Sequence, residues 1–175
     1  MEAAATRAFL GIYLNDHLAG AAGGVELARR AAGAHGGTGE GERLRRLADD
    51  IAADRGALLS IIMSLGIPVR RYKSMAVWAA EKAGRLKFNG RLRSRSPLSD
   101  LLELEGLRLA VEGKAAGWRT LLTIVDEFPD LDAAELRVLE GRAQAQISVL
   151  EELRMAAVQK VFRASEPTGT AASTS

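Results

Sequence analysis

The sequence predicts an all-α protein, a bundle of four long helices, and three observations carry that reading. Alanine, leucine, arginine and glutamate dominate the 175 residues while β-branched residues are thin, a composition that favours helix over strand. Apolar side chains recur at helical spacing through four long stretches. Pro68, Pro97 and Pro129 fall at the edges of those stretches, and Pro167 lies in the C-terminal tail. Proline interrupts a helix interior and is tolerated at its boundaries, so this placement marks where helices end.

The first helix is expected over about residues 6–33, through Phe9, Leu10, Tyr13, Leu14, His17, Leu18, Ala21, Val25 and Ala28. It stops in AGAHGGTGEG, where five glycines between Gly33 and Gly41 allow a turn. The second covers about 40–65, through Leu44, Leu47, Ile51, Leu58, Ile61, Ile62 and Leu65, and is closed by Gly66 at the left-handed cap position with Pro68 beyond. So short a link makes the two helices antiparallel neighbours. Residues 73–87 carry a shorter helical pattern with Met75, Val77, Trp78, Ala79 and Leu86, followed by the polar NGRLRSRS. Ser96-Pro97 reads as an N-cap and first helical residue. The third long helix spans about 97–127 until Phe128-Pro129-Asp130 breaks it. Asp132 with Glu135 has the form of a capping box, opening a fourth helix over about 132–162. SEPTGTAASTS offers nothing to bury, so residues 165–175 are expected to be a disordered tail behind a single domain of residues 1–164.

With no cysteine, disulfides, thiolate nucleophiles and cysteine-ligated metal centres are excluded. The N-terminal MEAAATRAFL does not resemble a secretory signal, and no apolar run approaches the roughly 20 residues of a membrane span. A soluble, cytoplasmic protein is expected. There is no Walker loop, no GxGxxG after a strand and no GxSxG. No serine falls on an inward face near the level of His17, which argues against nucleophilic catalysis.

Two tight hairpins joined by about thirty residues allow the connection to run the length of the bundle, so that the third helix lies parallel to the second. In this arrangement, and in the stretches GVELARR, DRGALLSIIMSLGIP and LELEGLRLAVEGK, the chain over residues 6–162 resembles the ferritin-like four-helix bundles. That resemblance implies a di-iron centre built from a glutamate on each of two helices and a Glu-x-x-His on each of the other two. Glu-x-x-His occurs nowhere here: His35 is in the glycine turn, and helices two to four contain no histidine. The chain therefore resembles a divergent member without the family's full site.

Counting about 1.5 Å per residue from the turns brings one polar side chain per helix, His17, Asp54, Glu112 and Gln146, to about mid-height. One reading is a hydrogen-bonded network in which Asp54 serves His17 and Gln146 satisfies what is left. The other is a metal site with His17, Asp54 and Glu112 as ligands, with Gln146 as a further candidate, holding iron, manganese or zinc. The network is preferred, and with it no cofactor is expected. Glu105, level with Glu26, Arg46 and Arg154, reads as a salt-bridge partner.

The connection is basic. Between Val69 and Arg95 lie nine Lys/Arg against one acid, Glu81, a net +8 in a chain of +2 that leaves −6 elsewhere. Tyr72, Trp78 and Phe88 are interleaved with the charge. Arg70, Arg71, Lys73, Arg91, Arg93 and Arg95 could dock an acidic partner, a nucleic acid or an anionic membrane surface. The favoured alternative lays this segment against the protein's own acidic helices. Gly20 with Gly24, and Gly113 with Gly117, point to close approach between helices one and three, to a bulky group such as Trp78 or Trp118, or to a homodimer interface. The expected role is a binding or structural bundle with a degenerate metal site. The alternatives are a metal-dependent oxidase or iron-handling protein, and an adaptor that docks through the basic connection.

Overall fold

The computed structural model of the chain describes residues 2–70 and 97–163. Among them it is all-helical: α1 (Glu2–Ala34), α2 (Gly39–Ser64), α3 (Pro97–Thr123), a 3-10 turn (Val125–Glu127) and α4 (Ala133–Phe162). The expected short helix at 73–87, the rest of the connection and the tail lie outside the described residues.

The turn between α1 and α2 follows from its glycines. Gly37 takes φ +79°, and a Cβ on Gly41 would lie 2.0 Å from the His35 carbonyl oxygen, so the chain doubles back only where side chains are missing. Thr38 caps α2 by accepting from the Gly41 amide at 3.0 Å. At the other end Gly66 takes φ +63°. Its amide donates to Met63 and that of Ile67 to Ile62, which is the Schellman arrangement anticipated from Gly66. Asp132 accepts from the amides of Ala134 and Glu135, and so opens α4.

Helix α3 ends at Thr123, four residues before the expected boundary. Thr120 and Thr123 hydroxyls bond back to the carbonyls of Ala116 and Arg119. The β-branched run Thr123-Ile124-Val125 then tightens the chain into a 3-10 turn, and Phe128 folds into the core.

Two hairpins, α1–α2 and α3–α4, are each closely packed along their length, and α1 lies against α3. Tyr13 meets Thr120, Arg30 meets Glu103 and His35 meets Asp100, so α3 runs antiparallel to α1. Leu14, Leu44, Ile62, Leu107, Leu136 and Leu150 are almost wholly buried. At roughly 1.5–3 kcal/mol each, such residues hold the bundle together. No helix among the described residues is long and apolar enough to cross a membrane.

Candidate functional site

The inward stripes carry a few polar residues, and three of the four helices bring theirs together. Asp54 shares the α2 stripe of Leu47, Ile51, Leu58 and Ile61, and its side chain is fully buried. On α3 the stripe Leu107, Val111, Trp118, Leu121 is interrupted at Lys114. On α4, Arg142 and Gln146 lie one turn apart beside Leu139 and Ala143.

The Lys114 ammonium donates both to Asp54 Oδ2 and to Gln146 Oε1. Gln146 Nε2 donates to the same Asp54 Oδ2 at 2.9 Å. Arg142 Nε lies 2.7 Å from Asp54 Oδ1, yet neither atom finds an aligned hydrogen bond. That last contact is therefore charge attraction without hydrogen-bond geometry. One carboxylate thus faces two cations, and Arg142, partly open to water, carries the excess charge outward. Burial pulls the Lys114 pKa below that of a free lysine, and Asp54 opposes the shift. An acid–base–amide cluster of this kind fixes side chains. The ammonium and the amide both bond Oδ2 of its one buried carboxylate, and Arg142 faces Oδ1.

The expected set is only partly assembled. Asp54 and Gln146 meet, as the level count implied. His17 does not reach them. Its ring lies against Gly117, where a Cβ would sit 3.1 Å from Cε1 and Nδ1, and 4.4 Å between centroids from Tyr13. Burial lowers the His17 pKa, with Asp16 opposing. Glu112 turns outward, half-exposed, 3.5 Å from Arg108 one turn back on its own helix. It follows Val111 by one residue, about 100° round the helix from the inward stripe. His17, Asp54 and Glu112 are therefore not brought together as ligands, and among the described residues no three His, Asp or Glu gather where a metal could be held.

Arg154 does approach Glu105, at 3.7 Å, whereas Arg46 turns to Glu42. Gly117 and Gly24 mark close approach between α1 and α3, Gly24 facing Ala110, but Gly20 and Gly113 face open space. Of the basic residues offered for partner binding, Arg70 is exposed and its amide donates to Asn15 Oδ1 at 2.7 Å. Arg71, Lys73, Arg91, Arg93 and Arg95 lie outside the described residues. Asn15 was not singled out in the sequence. It is buried and also donates to Gly11 and Pro68 carbonyls, tying the chain after α2 to α1. Lys114 and Arg142 were missed as well, although Lys114 is three residues from Val111 and four from Trp118, and so on their stripe.

Comparisons of the chain with family models, with curated proteins and with solved structures returned no match.

Proposed function

We propose that this chain is a non-catalytic, ferritin-like bundle with a binding or structural role, in which an ion-paired cluster stands where the resembling proteins hold metal. The observation that carries the reading is the Lys114 ammonium on Asp54 and Gln146. A cation of the protein's own already neutralises the buried carboxylate, so a metal ion would have to displace it and then share the space with Arg142. The ferritin-like part of the reading is supported by α3 running antiparallel to α1. That direction makes α3 parallel to α2, as the second and third helices of such a bundle are.

The test is elemental analysis of protein purified without chelators, with iron, manganese and zinc then added back during thermal melts. The reading predicts metal far below one equivalent and melts that these ions do not raise. Near-stoichiometric metal that disappears in Asp54→Asn or His17→Ala would overturn it.

A further inference from the structure

The four seams of the bundle are not alike, and the difference is mechanical. Along α1–α3 the backbones come close at small residues, where Gly24 faces Ala110, Gly106 faces Leu27 and Gly117 faces the His17 ring. Tyr13–Thr120, Arg30–Glu103 and His35–Asp100 also cross this seam. The α2 and α4 backbones, by contrast, approach each other only at isolated points. What spans that gap is a line of long polar side chains. Lys160 reaches both carboxylate oxygens of Glu40 at 2.7 Å, Arg43 reaches Glu152, and Gln146 and Arg142 reach Asp54. At the end nearest the α1–α2 turn lies a cleft of about 80 Å³, lined by Glu40, Leu44, Leu153, Ala157 and Lys160 of α2 and α4 and, on its far side, by His35, Asp100 and Leu104.

We propose that the bundle opens along α2–α4, with the glycine-packed α1–α3 seam as the spine and the Glu40–Lys160, Arg43–Glu152 and Asp54 contacts as the clasp. The two outer pairs are largely exposed, so salt screens them far more than it weakens close apolar packing. Each hairpin stays intact as it swings, because its two helices are packed together along their length. Opening extends the cleft inward past Leu44, Leu104 and Leu153, so the clasp controls access to the apolar interior. The device is independent of what the bundle binds.

Because the chain has no cysteine, single thiols report opening without background. Ala157→Cys places one on the cleft wall, and Ala28→Cys places one a turn beyond Gly24 on the α1 face toward α3, where Ala28 is fully buried. Each is reacted with a maleimide in the full chain at low and high salt, and again with Glu40→Gln and Glu152→Gln added. Loss of the two outer pairs of the clasp should raise the Ala157→Cys labelling rate about tenfold while the Ala28→Cys rate holds. The salt comparison needs no clasp variant, so misfolding of the double glutamine chain leaves a clear result. Equal acceleration of the two thiols, or an Ala157→Cys rate indifferent to both salt and the glutamines, would overturn the proposal.

Discussion

Asp54→Asn keeps the shape of the side chain and removes the carboxylate charge in direct contact with Lys114 and Arg142. Breaking a buried ion pair by deleting one partner costs roughly 3–5 kcal/mol when the remaining charge cannot reach water. Here the Lys114 side chain is 13% exposed and that of Arg142 36%, so part of the penalty is relieved by rehydration. A loss of about 3 kcal/mol follows, which for a domain of this size lowers the melting temperature by about 6–12 °C. The complementary variant Asp54→Leu/Lys114→Met/Gln146→Leu removes the three hydrogen-bonded members together and leaves Arg142, the one partly open to water. It should sit within about 1 kcal/mol of wild type, since well-packed apolar replacements of a buried pair are often neutral or better. Urea unfolding followed by helical circular dichroism reads both, with the midpoint moving and the slope unchanged. If Asp54→Asn shifts stability by less than about 0.5 kcal/mol, the value of an ordinary surface change, Asp54 is not paired inside the bundle and the reasoning fails.

Three further outcomes are expected. His17, with its pKa lowered from 6.5 by burial, is protonated more readily in the unfolded chain, so stability is full above pH 6.5 and falls as pH drops below it. Melts between pH 7.5 and 5 should show that loss, and His17→Leu should flatten it. Lys114 has the same sign at alkaline pH: its lowered pKa makes the unfolded chain hold the proton longer, so stability rises toward pH 10.5 in wild type, and Lys114→Met should remove that rise. At the glycines, Gly113→Ala meets nothing and should stabilise by about 0.5–1 kcal/mol, while Gly117→Ala presses on the His17 ring and should gain nothing. Gly41→Ala drives a methyl into the His35 carbonyl and should cost several-fold more than either changes, about 3 kcal/mol, all by urea midpoints.

Helix periodicity and punctuation made the bundle legible. Gly66 with Pro68, Pro97 and Asp132 located three helix ends through backbone chemistry that is local, and local chemistry can be read from neighbours in the chain. The α3 terminus was misplaced because Thr120 and Thr123 reorganise the last turn by bonding back to it, which apolar spacing does not reveal. Within the candidate site, counting residues brought Asp54 and Gln146 to one height, and these two do meet. Height alone says nothing of direction around the helix. Glu112 faces out, and His17 packs against Gly117, five residues farther along α3. Lys114 lay on the inward stripe in plain view, but a long cationic side chain is ordinarily a surface residue. Only the fully buried Asp54 opposite it explains its place.

The most direct test of the central claim is a proton–nitrogen spectrum of the lysine ammonium groups, recorded with and without zinc. An ammonium held by Asp54 and Gln146 gives one slowly exchanging Lys114 signal that vanishes in Asp54→Asn and is unmoved by the metal. A Lys114 group exchanging as fast as exposed lysines, together with zinc-induced shifts at Asp54 and His17, would contradict the account.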